Sequence, residues 1–138
     1  MPTGVYNSFK RDLMLAVHHL VNHTIRCALM GSGHTFNPAH VNWSEVQSNE
    51  ASGSGYTAGG QALANKSVTK DDANNRASFT ANNVVWDNVT ITFYHAVLYN
   101  DSATNKPLIG SFDFGGPVTV SNGRATIVWD TQGILVIT

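Results

Sequence analysis

The sequence predicts a mainly β protein: an antiparallel β-sandwich, jelly-roll-like, with one amphipathic helix at its N-terminal end. Three observations carry that expectation. One stripe of apolar residues at helical spacing occupies positions 8–22. From Thr24 onward the apolar period changes to two. Gly, Pro and Asn-Gly signals then divide the rest into short segments, which suits packed antiparallel sheets better than βαβ units. The chain has 138 residues with no internal repeat and no linker, so it reads as a single domain over 1–138. The helix takes about 8–22 and the sandwich about 24–138. A domain of this size buries about two-thirds of its unfolded surface and needs neither metal nor disulfides to fold.

In the helix, Phe9, Leu13, Ala16, Val17 and Leu20 form the stripe. Asn7 or Ser8 is placed to cap its start, Asp12 lies near the positive end, and His18, His19 and His23 lie towards the negative end. Met14, Leu15 and Val21 widen the apolar face and imply cover on more than one side. Ile25, Cys27 and Leu29 then alternate with Arg26 and Ala28 as a strand. Residues 31–48 read as loop, since Pro38 rules out a regular central strand. Gln61 to Val68 reads as a further strand and 70–75 as a polar turn.

The C-terminal half is strongly β. Val89, Ile91 and Phe93 alternate with threonines, and the segment continues to Tyr99. Asn100-Asp101-Ser102 breaks it, and Pro107 opens a strand in which Phe112 and Phe114 share a face. Gly115-Gly116-Pro117 predicts a turn. Asn122-Gly123, between the alternating runs 118–121 and 124–127, predicts a type I′ hairpin turn, whose twist matches its flanking strands. Ile134 to Ile137 reads as the last strand.

Charged residues make up 12% of the chain against a typical ~25%. Asn, Thr and Ser are abundant. A net charge of −1 gives no basic footprint for a nucleic-acid backbone. The longest apolar run is too short to span a bilayer, and Met1-Pro2-Thr3-Gly4 lacks the charged region of a secretory leader. No nucleic acid and no membrane is therefore expected as a partner. The sequons at Asn22, Asn42, Asn65, Asn88 and Asn100 follow from composition. The one cysteine, Cys27, excludes an internal disulfide and is expected to pack as a small hydrophobe. Neutral polar side chains hydrogen-bond without the desolvation cost of buried ions, which suits a surface pressed against other protein.

Candidate chemistry is sparse. His19 and His23 share a helical face at metal-ligand spacing, with His34, His40 or a carboxylate as a third donor. Yet Leu20-Val21-Asn22 fills the place of a zinc-protease motif and no Cys pair accompanies them, so no metal and no cofactor is expected. Ser54 lacks the glycines of a nucleophile elbow, because Ser52 and Tyr56 stand two residues away. Cys27 falls in an alternating strand, and Asp71-Asp72 in a polar turn. Gly53-x-Gly55-x-x-Ala58 mimics a dinucleotide fingerprint, but Gly59-Gly60 stand where a helix should propagate. Asp113-Phe114-Gly115 matches a kinase tripeptide by chance. No catalytic residue is expected and the chain does not read as an enzyme. Trp43, Trp86 and Trp129, with Tyr6, Tyr56, Tyr94 and Tyr99, are candidates for an aromatic glycan platform.

The most informative segment is Glu50-Ala51-Ser52-Gly53-Ser54-Gly55-Tyr56-Thr57-Ala58-Gly59-Gly60. Glycine serves where the backbone takes positive φ or passes close to another group, so this loop follows a tight, definite path. Gly53, Gly55, Tyr56, Gly59 and Gly60 are expected to form a structural loop and a contact surface. The segment resembles an E-x-S-G-x-G-Y-T-A-G-G loop of small tailed-bacteriophage virion proteins. Weaker matches run in order along the chain: His23 to Met30 after a short helix, Val84-Val85-Trp86, Val97-Leu98-Tyr99-Asn100, Asp113-Phe114-Gly115 and Asn122-Gly123. Arg26 departs from that family's usual lysine, and residues 31–48 are richer in histidine. The resemblance implies a virion structural protein, made in the host cytoplasm and acting as a capsid decoration or cement protein. It implies the major capsid protein or another virion protein as partner, with copies associating as a homo-oligomer. A tail or neck adaptor, a fibre-associated component and a receptor- or glycan-binding β module are the alternatives.

Overall fold

The computed structural model describes residues 2–138 of the chain. Its elements are β1 (Pro2–Val5), α1 (Asn7–Met14), β2 (Ile25–Met30), β3 (Gln61–Ala62), β4 (Ser67–Asp71), β5 (Arg76–Thr80), β6 (Val84–Asn100), β7 (Leu108–Ile127) and β8 (Leu135–Ile137). Two sheets form, one in the order β1-β7-β6-β2-β3 and the other β4-β5-β8. Every strand pairing is antiparallel. The expected β-sandwich class with one N-terminal helix is what folds.

The frame is the ribbon of β6 and β7, 17 and 20 residues long. It pairs from Val84 opposite Ile127 to Tyr99 opposite Leu108. Near the β6–β7 connection the strands are buried on both faces, where β1 and β2 flank them. Ile25, Cys27, Leu29, Val97, Leu98, Tyr99, Leu108 and Phe112 form this part of the core. Within the small sheet, Ile134, just ahead of β8, donates its N–H to the Phe79 carbonyl of β5 at 2.8 Å. Trp129 joins the two regions: its indole N–H donates to the Asn82 carbonyl at 3.0 Å, and its ring meets Phe112 edge-on at 5.3 Å.

The helix is shorter than its apolar stripe suggests. It ends at Met14, and Ala16 takes φ 59°. The Val17 N–H then reaches the Asp12 carbonyl at 2.9 Å and the Ala16 N–H the Leu13 carbonyl at 3.3 Å. This is a Schellman closure with alanine at the left-handed position usually given to glycine. Residues 15–24 consequently cross as an irregular segment, and His18, His19 and His23 lie beyond the helix. Asp12 falls in the last turn, buried, where it accepts from Arg11 Nε at 2.8 Å. Tyr6, rather than Asn7 or Ser8, occupies the N-cap, without a side-chain capping bond. Met14, Leu15 and Val21 are exposed, so the second cover implied for them does not form.

The C-terminal half differs from expectation at both glycine signals, for one reason. Gly115-Gly116-Pro117 does not reverse the chain. Asp113 pairs with His95 and Val118 with Phe93, so residues 114–117 stand opposite Tyr94 alone as a wide bulge. Asn122-Gly123 is likewise a bulge and not a hairpin turn. Val120 pairs with Ile91 and Gly123 with Val89, leaving Ser121 and Asn122 opposite Thr90. Asn122 does adopt positive φ, 47°, as an Asn-Gly pair favours. Its N–H donates to Thr90 Oγ1 at 3.0 Å, which pins the extra residue. The long partner β6 keeps both runs paired to itself, so neither signal closes a turn. The strand expected over 61–68 splits into β3 and the start of β4.

Candidate functional site

The glycine loop lies along the outer edge of β2 and then across β6. Ala51 N–H donates to the Leu29 carbonyl at 2.9 Å, and Leu29 N–H donates to Tyr56 Oη at 3.0 Å. The Tyr56 hydroxyl thus takes the place of a neighbouring strand. It passes its own hydrogen to Glu50 Oε2 at 2.6 Å, and the same oxygen receives the Gly59 N–H at 2.8 Å. Tyr99 Oη donates to the Gly59 carbonyl at 2.6 Å, so both polar groups of that peptide segment are held.

Further on, Thr90 N–H donates to the Ser54 carbonyl at 2.9 Å. A Cβ at Gly53 would overlap the Thr90 carbonyl oxygen, and at Gly55 it would lie 2.5 Å from the Asn88 carbonyl oxygen. Gly60 has φ +80° and sits against the Cys27 carbonyl with no room for a side chain. The glycines therefore let the backbone lie flat on two strands. Tyr56 turns inward, its ring 5.9 Å from Trp86, while Ser52, Ser54, Thr57 and Ala58 remain exposed. Burial raises the Tyr56 phenol's pKa, and its hydrogen bond to Glu50 raises it further. Burial likewise pushes Tyr99 up to about 12. Both hydroxyls keep their hydrogen and serve as donors that hold the loop. Cys27 is fully buried and pushed up to about 12 by that burial, which leaves no reactive thiol.

The histidines fall into two clusters that their spacing did not disclose. His18 and His23 converge on the buried amide of Asn100, at 3.0 and 2.9 Å. His19 and His23 face each other at 6.3 Å between ring centres, but the described residues contain no group of three side chains placed to hold a metal. The second cluster joins His34 to Ser111, with Nε2 and Oγ 3.0 Å apart and both residues buried. His95 packs edge-on against His34 at 5.0 Å, and its Nε2 lies 3.6 Å from Asp113 Oδ1. A serine–histidine pair resembles a nucleophile and its base, but catalysis also needs a group orienting the histidine and access for substrate. His34 Nδ1 has no partner among the described residues, and Ser111 is fully buried. Burial, with His95 and His40 nearby, lowers the His34 pKa to about 4, so the ring is neutral in ordinary buffers.

All three tryptophans are buried, and Trp43 stacks on Tyr99 at 4.4 Å. They form no exposed platform. The surface feature that stands out is apolar. Two adjoining grooves, of about 310 and 580 Å³, share Phe9, Leu13, Leu135 and Ile137. Around them, Met14 is 83% exposed, Leu15 66% and Ile137 60%, with Val17, Val21, Val68 and Val136 also exposed. The sequence placed Met14, Leu15 and Val21 on an apolar helix face but held no signal that β8 and β4 complete a surface with them.

Comparison with protein-family models, with curated proteins and with solved structures finds no match for this chain.

Proposed function

We propose that this chain is a docking module and not an enzyme: a bacteriophage virion structural protein, serving as a capsid decoration or cement protein. The observation that carries the docking part is the exposed apolar face around the end of α1 and β8. Contiguous apolar surface rimmed by polar residues marks an interaction site more often than a free surface. The resemblance of the Glu50–Gly60 loop to phage virion proteins supplies the identity of the assembly. The low charge and the many Thr, Asn and Ser side chains suit the rim of such a contact.

The mechanism is mass action. A protein that binds only the assembled lattice lowers that state's free energy by RT ln(1 + [L]/Kd) at each site. A site bridging lattice subunits does not exist before assembly, and contact by several linked copies adds avidity without new chemistry.

Quantifying the polypeptide in purified particles tests the proposal. A copy number on the order of hundreds, as a symmetric shell provides, supports the head position. A single ring's worth of copies moves the protein to the tail or neck. Absence from mature particles overturns the virion assignment altogether. Loss of particle binding in Met14→Glu and Ile137→Glu variants that still fold would tie the contact to the apolar face.

A further inference from the structure

Asn100 closes β6 and is fully buried. Its Oδ1 accepts the Ser102 N–H at 2.9 Å and the Ala103 N–H at 3.2 Å. Those two donors fix the orientation of the amide, because a flipped amide would set its own hydrogens against them. Nδ2 must therefore direct its hydrogens at His18 Nδ1, 3.0 Å away, and His23 Nδ1, 2.9 Å away. Both ring nitrogens have to offer a lone pair. The His19 N–H also points at His23 Nδ1, at 3.2 Å, and the Asn22 N–H donates to His19 Nδ1 at 3.1 Å. Each histidine of the crossing between α1 and β2 is thus held through Nδ1 as an acceptor, which requires the neutral ring with its hydrogen on Nε2; at His19, whose Nε2 lies 3.4 Å from Asn22 Nδ2, this also requires the Asn22 amide turned over, with its oxygen towards the ring.

We propose that His18, His19 and His23, wired to Asn100 and to their own backbone, form an acid-released latch on residues 15–24. A protonated imidazole carries N–H groups at both nitrogens, so no rotation of the ring restores an acceptor. Protonation turns each of these contacts into donor against donor. Little else holds the middle of the segment. Among the described residues, no backbone N–H of 18–22 donates to another element. The charges around the latch are mixed. Asp12, from α1, favours a cation on His18, but Arg11 pairs with it at 2.8 Å. Lys66, ahead of β4, donates to the His23 carbonyl and opposes a cation there. Arg26 of β2, Asp101 and Lys106 pair among themselves at 2.9 and 3.5 Å. His18 is buried with Nε2 unpartnered, which further disfavours its charged form. Opening removes His18, His19, Leu20 and Val21 from the wall of the first apolar groove and uncovers Phe9 and Phe79. The latch stands independently of the proposed function.

Two measurements on the full chain test it. Long-range nitrogen–proton correlation spectra near pH 7.5 should show Nδ1 unprotonated and Nε2 protonated at all three histidines. Hydrogen exchange, corrected for intrinsic rates, should show protection of 15–24 falling as the pH is lowered, by up to about tenfold per pH unit for each ring that gains a proton on opening, with β6 and β7 still protected. Asn100→Asp keeps the acceptor for Ser102 and Ala103 but presents a carboxylate to the rings, so its segment should become better protected in acid. A hydrogen found on Nδ1, or equal protection of 15–24 at pH 7.5 and 5.5, overturns the latch. Should the variant fail to fold, the wild-type spectra and exchange decide alone.

Discussion

Tyr56 gives its phenolic hydrogen to Glu50 Oε2 at 2.6 Å while receiving the Leu29 N–H at 3.0 Å. One hydroxyl thereby joins the glycine loop to the outer edge of β2. Tyr56→Phe leaves a backbone donor of a fully buried residue unsatisfied and removes one donor from the carboxylate. The expected loss is roughly 1–3 kcal/mol, the usual cost of stranding a buried polar group, read from the midpoint of urea unfolding. An unchanged midpoint would mean that the loop is not anchored through this hydroxyl.

Gly60 and Gly115 have nearly the same φ, +80° and +81°, but different surroundings. A Cβ at Gly115 meets nothing within 4 Å, whereas at Gly60 it overlaps the Cys27 carbonyl. Gly115→Ala should therefore cost only the left-handed backbone term, about 1–2 kcal/mol. Gly60→Ala should cost clearly more, because the loop must lift from β2. Thermal unfolding of the two variants side by side separates conformation from close approach. Equal losses would show that the loop yields without resistance.

Ala16 holds φ 59° at the closure of α1. Glycine adopts that conformation freely, so Ala16→Gly should stabilise the protein by about 0.5–1 kcal/mol, against the usual sign for glycine near a helix. A lower melting temperature for this variant would contradict the closure.

The buried His34 supplies a pH dependence of known sign. Its folded pKa lies at about 4, below the ~6.5 of an unfolded chain. The unfolded state therefore binds the proton first. Stability is fully present above about pH 6.5, declines as the pH falls from there, and stops declining near pH 4. Against pH, the urea midpoint of the wild type should fall across that window, and His34→Gln should fall less. Parallel curves would remove His34 as a source.

Much of this molecule was legible in one dimension. The strands of β2, β6 and β7 carry their period in Ile25, Cys27, Leu29 and in Val89, Ile91, Phe93. The glycine loop announced a confined path. What was not legible depended on residues far along the chain. Alanine at position 16 hides a helix end that glycine would have marked. The positive φ of Asn122 was implied by its type, but whether it closes a turn or bulges depends on Thr90 in the partner strand. The histidine contacts join His18 and His23 to Asn100 across more than half of the chain, a span that no spacing rule reaches.

The two interruptions in β7 have a bearing on whether a foreign strand can add to its free border. Beyond Phe112, β7 pairs only with β6 among the described residues, so its other side presents unpaired peptide groups. A smooth border of that length invites another chain to zip on and grow into fibres. The kinks at 114–117 and at Asn122, with Pro117 lacking an N–H, break that border into pieces too irregular for a straight strand to follow. Open-ended sheet extension along this border is thereby disfavoured.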